Sequence, residues 1–238
     1  LSEGRHASRS SRKPALIVGG IVAVLVIGVV VVVLSGGSNG AGGIIPGIGD
    51  DEEPQTPAFA FETTKVLAVP TRPNVTPEEL KPNAEPAAGE IAALMDALYL
   101  EAFFDVDNWQ TGTYDEVWPL FDASAAEQAR AESEVLTAGS GAGDAFERID
   151  PGFAELKTKV LLNHEDRPVS VAAVVIFRAT GRGKDGGSDV LMQSNGQFTF
   201  RQVDGGWRIV AFHVQRNDEE QPAVATPSGS AIPSAVPS

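Results

Sequence analysis

The run from residue 15 to residue 34, A-L-I-V-G-G-I-V-A-V-L-V-I-G-V-V-V-V-V-L, contains no charged or polar side chain. As a helix, its 20 residues would rise about 30 Å, the thickness of a bilayer's hydrocarbon core. Lipid offers the backbone no hydrogen bonds, so a transmembrane helix is expected despite the β-branched valines. Arg9, Arg12 and Lys13 stand immediately before the run, and no Lys or Arg follows it until Lys65. The positive-inside rule then predicts a cytoplasmic N-terminus, with everything after Leu34 outside the cell membrane. A signal peptide's apolar region is shorter, about 7–15 residues, and ends in an A-x-A-like cleavage site. Ser35-Gly36-Gly37-Ser38 matches one poorly, so the run reads as an uncleaved signal anchor of a single-pass protein. Within it, Gly19 and Ala23 form a small-xxx-small pair, a spacing that lets two membrane helices approach as a homodimer.

The anchor divides the charge. The 238-residue chain carries 18 basic and 32 acidic side chains, a net −14. Residues 1–14 hold four basic side chains against Glu3, or +3, so the part beyond the anchor carries −17. An exterior this acidic argues against nucleic-acid binding, which needs a basic face to neutralise phosphates. The chain has no cysteine. That excludes disulfides, a thiolate nucleophile, iron–sulfur chemistry, cysteine-ligated zinc and a lipidated cysteine. The cytoplasmic Ser8-Arg9-Ser10-Ser11-Arg12-Lys13 is placed to touch anionic lipid.

Residues 35–84 are Gly-rich, then acidic at Asp50-Asp51-Glu52-Glu53, then Pro-rich. They read as a flexible tether that keeps an acidic domain away from anionic lipid; about 50 such residues span on the order of 40 Å. Ala58-Phe59-Ala60-Phe61 and Val66-Leu67-Ala68-Val69 are the exception, apolar enough to dock as an extra strand. Asn74-Val75-Thr76 is a formal glycosylation sequon. At the other end, residues 217–238 read as a disordered Pro/Ser/Ala tail. The folded part is expected over residues 85–216. There Ile91, Leu94, Met95, Leu98, Ala102 and Phe103 recur at helical spacing, which predicts an amphipathic helix over Pro86–Phe104. Thr113-x-x-Glu116 and Ser124-x-x-Glu127 look like capping boxes of two more helices, stopped by Pro119 and near Gly139. The period then changes. Ala154–Asn163, Val169–Thr180, Asp189–Phe200 and Gly206–Arg216 predict antiparallel strands, with Val171–Phe177 central because both its faces are apolar.

Helices first and strands after is an α+β layout. With the closing G-G-W-R-I-V-A-F-H-V of Gly205–Val214, it resembles the nuclear transport factor 2-like superfamily. That resemblance implies three N-terminal helices packed on a strongly curved antiparallel sheet, cone-like and enclosing a pocket. Anchor, tether and domain together resemble actinobacterial membrane-anchored mammalian-cell-entry-associated proteins.

Chemistry is sparse. Gly36-Gly37-Ser38-Asn39-Gly40 fits G-x-S-x-G but lacks the strand–turn–helix context that activates the serine. Gly139-Ser140-Gly141-Ala142-Gly143-Asp144 follows a helix and ends in an Asp that would repel pyrophosphate, so it reads as a turn. Asp105-Val106-Asp107-Asn108-Trp109 opens like a calcium loop but puts Trp109 at the fifth ligand position, so it reads as a helix-ending loop with Trp109 packed inward. Glu127, Glu132 and Glu134 read as a solvated face. His213 shares a strand face with Trp207, Ile209 and Ala211, and the cone would turn that face to its pocket. His213, Trp207 and Asp96 are therefore the ligand-binding candidates. No catalytic set, metal site or cofactor is expected. The leading functional expectation is a non-enzymatic accessory module of an envelope complex. Hydrophobic-ligand or lipid binding in the pocket comes second, and an enzyme using His213 with a carboxylate third.

Overall fold

The structure is a computed structural model, and it describes residues 56–221. The basic tail, the apolar run, residues 35–55 of the expected tether and the last residues lie outside the described part. Among the described residues no helix is long and apolar enough to cross a membrane.

The fold begins earlier than residue 85. Strand β1 (Glu62–Val69) lies within the expected tether, and helix α1 runs over Pro77–Tyr99. Thr76 caps α1 with a full capping box: the Glu79 N–H donates to its hydroxyl, and the Glu79 carboxylate accepts from the Thr76 N–H at 2.9 Å. Pro77 fits the first turn, where its missing N–H costs nothing. Pro82 and Pro86 fall inside the helix, four residues apart on its exposed side. The carbonyls they leave unpaired face water there, so the helix continues. Its other face buries Leu80, Ala84, Ala87, Ala88, Ile91, Met95, Leu98 and Tyr99.

A π turn, Leu100–Phe104, extends α1 and turns Ala102, Phe103 and Phe104 inward together. Asp105 then caps α2 (Val106–Thr111), accepting from the Asn108 N–H at 2.9 Å. The expected loop is thus a helix, and Trp109 is buried in it. Gly112, with φ 68°, ends α2. Thr113 and Glu116 cap nothing; only a 3-10 turn, Trp118–Leu120, follows. Asp122, not Ser124, caps α3 (Ala123–Ala131), accepting from the Ala125 N–H at 2.8 Å. The third helix stops short of Gly139, and the single turns α4 (Ser133–Leu136) and α5 (Ala142–Ala145) come next.

Four long strands complete the described part: β2 (Phe146–Leu162), β3 (Pro168–Gly183), β4 (Asp189–Val203) and β5 (Gly206–Gln221). Sheet order is β1-β2-β3-β4-β5, with β3 central as expected. The last four strands form an antiparallel meander, but β1 pairs parallel to β2. The sheet is therefore mixed rather than antiparallel, because the chain returns from β1 through α1 before it enters β2. Asp204-Gly205, at φ 52° and 83°, makes the tight β4–β5 turn. β5 also runs beyond Arg216 to Gln221, into the expected tail.

Helix α1 lies against β1, β2 and β3, while α3 and α4 lie against β5. Together they bury the side chains of one sheet face. Along β3 these are Val171, Ala173, Val175, Phe177 and Ala179, none more than 1% exposed.

Candidate functional site

The covered face of the sheet is filled by rings. Phe177 of β3 meets Tyr99, Phe103, Phe104 and Phe59 at centroid distances of 4.8, 4.8, 5.9 and 5.9 Å. The chain ahead of β1 adds Phe59 and Phe61, which meet edge to face at 5.2 Å. These two rings are why residues 58–61 dock. Each edge-to-face or offset pair adds to the area its rings remove from water.

Polar groups in this interior hold structure together. The Tyr99 hydroxyl meets the Ser194 hydroxyl at 3.5 Å, and both residues are buried. Burial pushes the Tyr99 phenol up to about 12. The Asp96 carboxylate accepts the Phe61 N–H at 2.7 Å and so pins the incoming segment to α1. Desolvation raises the Asp96 pKa, and that hydrogen bond partly offsets the rise.

Arg216 closes the helical layer over β5. Its guanidinium donates to the carbonyls of Glu134, Thr137 and Ala138 and to the Asp218 carboxylate, at 2.9 and 2.7 Å for the two Asp218 oxygens, and it lies 5.7 Å from the Phe103 ring centroid. All five N–H groups are thereby used. A shallow cleft of about 450 Å³ beside it is lined by Glu134, Gly139, Ala142, Phe146, Arg216 and Asp218. Glu134 accepts the Ser140 N–H at 3.1 Å, and its hydrogen bonds to Ser140 lower its pKa. The glycine-rich turn is thus held by a carboxylate rather than prepared for an anion.

The three ligand-binding candidates do not converge. Trp207 is 5% exposed and belongs to the core. Asp96 is committed to Phe61. His213 is on the uncovered face of β5. A β-bulge is the cause: Thr199 pairs with Ala211 and Phe200 with Ile209, which leaves Val210 unpaired. One extra residue inverts the alternation. Trp207 and Ile209 point inward, but after Val210 it is Val214 that is buried, while Ala211 and His213 are exposed. His213 lies in a shallow groove of about 350 Å³ with Val174, Asn195, Gln197 and Gln215, and its Nε2 is 3.4 Å from the Gln215 amide. Among the described residues, no three His, Asp or Glu side chains converge to hold a metal ion.

The uncovered face has its own order. Three successive rungs cross the sheet: Lys65–Lys157–Val174–Gln197–His213, then Leu67–Lys159–Ala172–Thr199–Ala211, then Val69–Leu161–Ser170–Arg201–Arg208. They hold five cations and no carboxylate, while the adjoining rung of the same face, Glu62–Glu155–Ile176–Asn195–Gln215, adds two carboxylates at its β1–β2 end. The sequence signal for this was the alternation Lys157-Thr158-Lys159 around a buried Thr158.

No family model matches the chain, and no curated protein matches it. It is similar to a crystal structure of a protein provisionally described as a scytalone dehydratase, from Novosphingobium aromaticivorans. That likeness has a TM-score of 0.36 and 13% identity over 64% of this chain and 99% of the other. A likeness this loose carries nothing about this chain's chemistry.

Proposed function

We propose that the chain is a single-pass, membrane-anchored interaction module, its α+β domain held outside the cell membrane as a non-enzymatic accessory of an envelope complex. The observation that carries this reading is the filled interior. Phe59, Phe61, Tyr99, Phe103, Phe104 and Phe177 occupy the space that a binding cone of this layout would leave for a ligand. Asp96 and Tyr99, the ionisable groups beside those rings, are engaged by Phe61 and Ser194. The domain's exposed faces are then what remains for function. The apolar run and the basic residues before it support the anchor and its orientation.

The finer fold reading is a nuclear transport factor 2-like domain of the mammalian-cell-entry-associated kind. It is supported by the helices that precede the β2–β5 meander and by the packing of α1 on β1–β3.

Alkaline phosphatase fused to the C-terminus tests the topology; activity is expected, and an inactive fusion overturns it. Native mass spectrometry of the detergent-extracted full chain tests the filled interior. No apolar molecule without an anionic headgroup is expected to remain bound once detergent and membrane lipid are stripped, and a stoichiometric one would instead establish a pocket.

A further inference from the structure

We infer that the uncovered sheet face is a docking surface for anionic lipid headgroups, and that the domain lies with this face against the membrane to which the chain is anchored. This rests on the anchoring reading above, names the partner of one face and reverses the expectation, drawn from net charge, that the tether keeps the domain away from anionic lipid.

The fold sorts charge. Residues 77–145, which hold the five α-helices of the described residues, carry 2 basic and 15 acidic side chains, or −13. Residues 146–221, which hold β2–β5, carry 10 basic and 11 acidic, or −1. Within that nearly neutral half, alternation sends Lys157, Lys159 and Arg201 to the uncovered face, beside Lys65 of β1 and Arg208 of β5, with Glu62 and Glu155 one rung away at its margin. At ordinary strand spacings, the three rungs occupy about 14 Å by 19 Å. Lys65, Lys159, Arg201 and Arg208 enter no ion pair among the described residues; Lys157 alone meets Glu155, at 3.0 Å. The carboxylates of the helical layer lie on the opposite side of the sheet. With a Debye length of about 8 Å, a charged surface responds to the face that is near it rather than to the net charge.

Three observations select a lipid surface as the occupant. First, Leu161 and Val174, 38% and 41% exposed, stand among the cations. Lys and Arg interleaved with aliphatic side chains is the composition of surfaces that rest in the headgroup region. Second, 21 residues separate Leu34 from Thr56. A Gly-rich segment of that length spans about 25 Å, which keeps the domain within reach of the bilayer. Third, a second copy is disfavoured as occupant of this face. Two such faces would oppose like charges, and a basic face against an acidic helical layer would propagate without closing.

The test uses the full chain in vesicles. The protein lacks cysteine, so Gln197→Cys on the uncovered face and Glu127→Cys on α3 each accept one environment-sensitive fluorophore. In vesicles with about 30 mol% phosphatidylglycerol, the label at position 197 should shift to the blue relative to all-phosphatidylcholine vesicles. The shift should reverse in about 0.5 M NaCl. The label at position 127 should not respond. Lys157→Glu with Lys159→Glu should abolish the shift, each lost cation weakening docking about fivefold. Equal emission in both lipids overturns the inference, as does a shift that survives the charge reversal. A shift produced by poly-glutamate but not by anionic vesicles overturns it in favour of an acidic protein partner. Retention on neutral vesicles through an alkaline carbonate wash reports the anchor separately. A chain that washes off defeats the anchoring reading, and the label comparison with vesicles added to the free chain still decides docking.

Discussion

The two faces of the sheet are made from the same strands, and β3 displays the contrast at single-residue resolution. Val174 and Val175 are neighbours of one residue type, yet Val174 is 41% exposed and Val175 is fully buried. Apolar content therefore does not decide which face becomes the core; what covers the face does. On the covered face, rings from two separate segments close on Phe177. On the other, cations from all the strands but β3 occupy adjacent rungs. One face carries the stability and the other carries the charge.

The contrast breaks first at Phe177. Phe177→Ala removes a ring that touches four others and should cost about 3–5 kcal/mol in urea unfolding. Arg178→Ala, one residue along on the other face, gives up only the contact with the exposed Phe153 ring and should stay within about 0.5 kcal/mol. Equal effects would mean that β3 does not divide the molecule as described.

Next in size is an alkaline limb. Tyr99 ionises near pH 12 when folded but near its ordinary value of about 10 when unfolded. Its folded pKa is raised, so the associated stability is fully present below pH 10 and is lost as the pH rises from 10 toward 12. The loss amounts to about 2.7 kcal/mol over those two units. Tyr114, also raised by burial, steepens the same limb. Tyr99→Phe should be less stable near neutrality, because Ser194 loses its partner, and should show a flatter decline above pH 10. Chemical denaturation from pH 8 to 12 reads both effects.

A smaller effect separates the faces in the middle of β4. Gly196 points into the covered side, where an added Cβ would stand 2.6 Å from the Phe198 ring and 3.3 Å from Val214. Gly196→Ala should cost about 1–3 kcal/mol by overpacking. Asn195→Ala, on the exposed face beside it, should cost little. Thermal midpoints of the two variants give the comparison.

What the sequence revealed follows the same division. Strands β2–β5 and their turns were legible because alternation and turn residues such as Asp204-Gly205 are local signals. The start of the fold was not. Pro82 counts toward a Pro-rich tether and Pro86 toward a helix start, and only the packed helix has the exposed side on which both do no harm. His213 was misplaced for a similar reason. Alternation counted from Trp207 is correct up to Ile209, and the unpaired Val210 is a property of pairing with β4 that the local pattern does not carry. The cationic face was written in the sequence as alternating lysines, but assigning Lys65, Arg201 and Arg208 to the same surface required the register.

The smallest expected effect has the opposite sign. Arg201 and Arg208 are directly opposed across β4 and β5, and neither enters an ion pair among the described residues. Like charges at such a position are destabilising, and an opposite pair contributes about 0.2–1 kcal/mol. Arg201→Glu should therefore raise the unfolding midpoint slightly while removing one cation from the uncovered face. Substitutions at Phe177, Tyr99 and Gly196 all lower stability because those residues serve packing. A variant at Arg201 that is more stable yet docks more weakly on anionic vesicles would mark the position as one kept for binding rather than for folding. If Arg201→Glu destabilised the protein, the cations would be bracing the sheet, and the division between a face that folds and a face that binds would fail.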